Sequence, residues 1–245
     1  MPKKRVPPPP VQRERPVVER VPDPDSGQPS SGKRRRGGAA VDVSEVEFPG
    51  VAPDTARKLV RRLVEAANAF EAERYKEAHS LLTSIEKLAP GVPEVLELRG
   101  LSSYRLSKWR QAENDLMAFE AAVGTVEQHH VLADCARAQS KWSDVDRLWR
   151  ELGEASPAAD LVEEGRIVYA GSLADQGKLK DGIRILEKAP RAPKKPKIQH
   201  LRRWYALADL YERAGDLPKA RRLFAEVGIL DPSFGDAAER AKALR

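Results

Sequence analysis

Catalysis and metal binding need nucleophiles, carboxylates or imidazoles at spacings that bring them together. The chain offers few. Among 245 residues there are four histidines and one cysteine. His129 and His130 are adjacent, so on a helix they point to different sides and cannot hold one ion together. His79 and His200 stand far away in the chain. The lone Cys135 excludes a cysteine zinc site and an intrachain disulfide. It sits beside Ala133 and Ala136 in a helical stretch, where a buried, inert thiol is expected. Glu163 and Glu164 read as solvated helix positions, with no sign of the cleft that a hydrolytic carboxylate pair needs. The motifs G-x-x-x-x-G-K-[ST], G-x-G-x-x-G and G-x-S-x-G are absent. The sequence predicts no enzyme, no metal and no cofactor. What remains to do chemistry is a surface.

The elements that carry this surface are helices. From Trp204 to Pro232, Trp204, Leu207, Ala208 and Tyr211 fall at i, i+3, i+4 and i+7, one face of a helix with Trp204 in its core. Leu217, Ala220, Phe224 and Val227 form a second face beyond Ala214-Gly215-Asp216. Pro232 ends the pair, since proline cannot extend a helix. These landmarks, W-x2-L-[small]-x2-Y, A-x3-F and P, resemble a tetratricopeptide repeat. The pattern recurs upstream. Five second-helix small positions are Ala78, Ala112, Val145, Gly182 and Ala220, and five first-helix small positions are Ala66, Gly100, Ala133, Ala170 and Ala208. Bulky residues follow the second-helix position by four: Leu82, Leu116, Trp149, Leu186 and Phe224. Small residues mark where paired helices approach most closely, and large ones fill the gap to the next pair. Each fully buried large residue contributes roughly 1.5–3 kcal/mol, and stacking of pairs completes the burial.

The resemblance implies an all-α fold: a right-handed α-α superhelix of about ten helices plus a C-terminal capping helix. It implies a scaffold that binds a partner protein in the groove lined by the first (A) helices. The repeat register sends Tyr104, Arg105, Asp134, Arg137, Arg202, Tyr205 and Glu212 to that groove, with Glu97, His130 and Asp209 among them. Tyrosine and arginine are common contact residues at interfaces. Family members that clamp a C-terminal carboxylate use groove lysines and asparagines. Here the asparagines are only Asn68 and Asn114, and the groove carries acids, so that clamp is not expected.

The flanks differ from the repeats. Residues 1–45 form a Pro- and Arg-rich segment with almost no large apolar residue except valine, expected to be disordered, and residues 46–245 the helical domain. Residues 1–40 carry ten Lys/Arg against four Asp/Glu, the whole of the net charge of +6. The body is neutral, which argues against nucleic-acid binding over its whole surface. An alternative role, association with nucleic acid or the ribosome, would use Lys33, Arg34, Arg35 and Arg36 together with the basic loop at 190–197, and the same basic residues would suit an acidic partner. Val46 and Phe48 are candidate anchors onto the first helices, and Asp54 or Thr55 a candidate cap. Ser233 and Asp236 suggest a capping box for a last helix with Phe234, Ala238, Ala241 and Leu244 inward, and Glu239, Arg240, Lys242 and Arg245 towards water. Gly182 and Ala189 mark the fourth unit as the most degenerate. No run of about 18 apolar residues is present, and a cytoplasmic location is expected. Arginine (27) over lysine (16), with two asparagines, suggests a bacterial source.

Overall fold

The structure, a computed structural model, describes residues 46–155, 157–189 and 193–244. The basic cluster Lys33–Arg36, the rest of residues 1–45, residues 190–192 of the basic loop and Arg245 lie outside the described residues. Eleven helices and no strand occur among the described residues. They form five antiparallel pairs: α1 (Pro53–Glu71) with α2 (Tyr75–Glu86), α3 (Pro93–Arg105) with α4 (Trp109–Val123), and α5 (His129–Ala138) with α6 (Trp142–Ala155). Then come α7 (Ala159–Asp175) with α8 (Leu179–Glu187), α9 (Ile198–Arg213) with α10 (Leu217–Leu230), and the single α11 (Ala237–Ala243). A helices α5, α7 and α9 pack directly on one another, whereas each B helix packs on its own A helix and the next one. This makes the A helices one continuous face of a solenoid.

All ten small positions are buried. The closeness they permit is measurable. A Cβ on Gly100 would stand 2.7 Å from the Leu116 side chain, and one on Gly182 would stand 2.6 Å from the carbonyl oxygen of Ala170. Gly182 therefore allows a closer α7–α8 approach than alanine could. It is a packing requirement of the fourth pair. Every A-to-B turn repeats one geometry. A residue at positive φ appears at Glu73, Ser107, Ser140, Gly177 and Gly215. The next residue's amide bonds back five residues: Arg74 to Ala69, Lys108 to Ser103, Lys141 to Ala136, Lys178 to Leu173 and Asp216 to Tyr211. This is the Schellman closure, which satisfies orphan carbonyls at a helix end.

Several local expectations are corrected. Pro53 opens α1 with no side-chain cap; Asp54 lies in the first turn and pairs with Arg57 instead. Proline at that position has no amide to leave unpaired, and its fixed φ suits a helix start. Ser233 does not cap α11: its amide and hydroxyl both donate to Asp231, and the helix starts at Ala237. Phe234 and Ala237 are the buried residues there, with Ala241 and Leu244 packed behind them. Trp204 and Trp149 are half-buried. Leu148 and Leu152 take the core place in α6, and Trp149 stacks on Tyr169 at 5.5 Å. In α9 the buried set includes Tyr205 as well as Leu201, Leu207, Ala208 and Tyr211, because α7, α8 and α10 pack against it and Phe234, Asp236 and Arg240 cover Tyr205. Val46 and Phe48 pack on the first pair, Phe48 fully.

Candidate interaction face

The A-helix face carries a ladder of ion pairs. Tyr104 on α3 donates its hydroxyl to Asp134 on α5 at 2.8 Å. Arg137, one turn further, lies 3.6 Å from Asp134 and donates to Asp175 at the end of α7 at 2.7 Å. Asp175 is 3.8 Å from Arg213 of α9, which is 3.8 Å from Asp209. Arg240 of α11 closes the series, donating to Asp209 at 2.8 Å and to Glu212 at 2.6 Å. It also donates to the hydroxyl of Tyr205, which itself donates to Asp236 at 2.6 Å. Bases and acids alternate along successive elements.

Local sequence explains how the ladder fits. Asp134 and Asp209 occupy the same register, one residue after the small A-helix position. At that register α7 has Gly171, and a Cβ there would meet the Arg137 guanidinium at 2.7 Å. Glycine opens the path by which Arg137 crosses α7 to Asp175. The members are substantially covered: Arg137 and Asp175 are 12% and 9% exposed. At this depth charge-assisted hydrogen bonds are worth more than exposed ion pairs. Burial and the hydrogen bond to Asp236 push the Tyr205 hydroxyl well above its ordinary range, so it stays protonated.

The predicted groove residues divide into three groups. Tyr104, Asp134, Arg137, Tyr205 and Glu212 join the ladder, with Tyr205 buried beneath α11. Arg202 pairs with Glu164 at 3.0 Å. Beside it His130 is driven down to about 4 by burial, with Arg202 adding to the effect, so it is neutral near pH 7. Arg105 turns away and stacks over Tyr75 at 5.1 Å. Glu97 accepts from Gln128 at 2.8 Å, and its carboxyl is raised by burial. Glu163 is buried instead of solvated, because α9 covers it and supplies Arg203 at 3.1 Å. His129 is buried too, 3.2 Å from Glu151.

Three ladder members, Asp175, Arg213 and Arg240, escape the sequence reading. Asp175 and Arg213 end their A helices at matched places, a signal available in the repeat register. Arg240, expected in water, is instead drawn inward. Its guanidinium lies 4.2 Å from the Phe224 ring centroid and between two carboxylates of α9, which compensate for its burial.

No family model matches the chain, and no curated protein matches it by sequence. Among solved structures it is similar to a thermophilic TPR protein of Thermus thermophilus. The likeness has a TM-score of 0.57 at 17% identity and covers 76% of this chain and 98% of the other. The fold is a tetratricopeptide-repeat fold. Among the described residues no helix is long and apolar enough to cross a membrane, and no three or more His, Cys, Asp or Glu side chains gather as a metal-holding group.

Proposed function

We propose that the chain is a non-catalytic scaffold that holds a segment of a partner protein against the A-helix face. The ladder from Tyr104 to Arg240 supports this reading most. It fixes polar groups before any partner arrives, so less side-chain entropy is lost on binding. Because acids and bases alternate, the face suits a partner offering both donors and acceptors, and a uniformly charged partner suits it poorly. Tyr104, Asp134, Arg137, Arg202 and Glu212 are the contact candidates, with Arg105 at the edge and Tyr205 acting from beneath through Arg240.

The test is a pull-down from lysate of the source cells, with and without nuclease, using the whole chain, a chain lacking residues 1–40, and Arg137→Met. The expected result is a protein retained by the first two, indifferent to nuclease and lost with Arg137→Met. Retention that needs nucleic acid or residues 1–40 would overturn the scaffold reading.

A further inference from the structure

The outer side of the solenoid has a notch between its last two B helices. α8 stops after 9 residues, whereas α2, α4, α6 and α10 have 12, 15, 14 and 14. Pro193 and Pro196 precede α9, where they prevent helical continuation. The space left is an open trough of about 1320 Å³. Its floor is apolar: Leu186, Leu207, Leu223 and the half-buried ring of Trp204. At its edge Ile229 is 80% and Leu230 47% exposed. Contiguous exposed apolar surface of this kind marks interaction sites.

The rim is cationic. Lys194, Arg221 and Arg222 line it and are exposed, and among the described residues no carboxylate lies within ion-pair distance of any of them. No Asp or Glu occurs between residues 188 and 208. The lining acids are Glu226 and Glu187, and the latter accepts the hydroxyl of Tyr211. Arg203, also in the lining, is already held by Glu163. At 100° per residue, Trp204 and Leu207 face away from Tyr205 and Asp209, so the trough and the ladder are on opposite sides of α9.

We propose that the trough docks an acidic amphipathic segment of a partner protein. Its apolar side chains lie on Trp204, Leu223 and Ile229, and its carboxylates meet Lys194, Arg221 and Arg222. The chain's own residues 1–40 carry a charge of +6 and are repelled by this rim. A phosphate backbone complements the rim but leaves Ile229 and Leu230 bare. The proposal is independent of partner binding on the A-helix face.

The test is fluorescence anisotropy with the full chain. The probe is a labelled helical peptide of about 16 residues, with leucines at i, i+3, i+4 and i+7 and glutamates elsewhere. A lysine-for-glutamate peptide and a U-rich RNA oligonucleotide are the comparisons. The acidic peptide is expected to bind, and the lysine peptide to bind about tenfold or more weakly. R221E/R222E and Ile229→Ser, both at exposed positions, are each expected to weaken the acidic peptide about tenfold with unchanged melting midpoints. Arg137→Met is expected to leave it unaffected. Absence of binding, equal binding of both peptides, or indifference to both trough variants overturns the proposal. So does RNA that binds more tightly than the peptide and is released by R221E/R222E. A dimer in sedimentation that Ile229→Glu dissociates would overturn it by assigning the trough to a second copy. Binding seen only after removal of residues 1–40 would overturn it by assigning the trough to that segment.

Discussion

Three of the five A-to-B turns place a side chain at positive φ: Glu73 at 60°, Ser107 at 60° and Ser140 at 58°. The left-handed region costs an L-residue roughly 1–2 kcal/mol, partly offset by the greater entropy glycine loses on folding. Ser107→Gly is therefore expected to raise stability by about 0.5–1 kcal/mol in urea denaturation. The opposite holds at Gly182. An added Cβ would press on the Ala170 carbonyl, a backbone atom that cannot swing aside. Gly182→Ala should cost about 1–3 kcal/mol, and an unchanged denaturation midpoint would show that the α7–α8 approach is looser than described. His130 adds a pH dependence. Burial lowers its folded pKa from 6.5 to about 4, so between these values the unfolded chain binds more protons. The stabilisation, about 2 kcal/mol, is full above pH 6.5 and is lost as pH falls towards 4. Melting curves of wild type and His130→Asn should converge across that window. Parallel curves would count against a half-buried imidazole that stays neutral.

At the scale of helices, packing separates two residues that the sequence places alike. Phe224 is fully buried, whereas Trp204 is half-buried in the floor of the outer trough. Phe224→Ala is expected to cost roughly 3–5 kcal/mol and Trp204→Ala about 1–2 kcal/mol, measured by thermal or urea unfolding. The small positions from Ala66 to Ala220 are legible in the sequence because one rule, close helix approach, repeats five times. Trp149 and Trp204 are not, because a helical stripe constrains only the near side of a helix. How far the partner helices cover its edges depends on their lengths, as with short α8. Tyr205 and Arg240 escape for the same reason from opposite directions. α11 covers a position expected to be open, and its arginine finds carboxylates that no spacing within α11 reveals. Short α8 is also the element expected to open first: its amides should exchange sooner than those of α4 or α10 in hydrogen exchange.

For the whole molecule, the ladder joins helices that neighbouring-pair packing alone would couple only two at a time. Repeat arrays gain stability from such nearest-neighbour interfaces. Asp175 and Asp209 each receive two arginines, so removing one arginine leaves part of the series in place. Arg137→Met should destabilise by about 1–3 kcal/mol through the weakened pairing of Asp175. Gly171→Ala should destabilise by less, since the guanidinium can shift. The proposed binding of a partner on this face can be read by site-specific photo-crosslinking. A benzophenone amino acid replaces Glu97, at the edge of the A-helix face, in the full chain expressed in its source cells. Protein adducts from position 97 that disappear when Arg137→Met is added are the predicted result. No adduct from position 97, or adducts indifferent to Arg137→Met, would contradict the account.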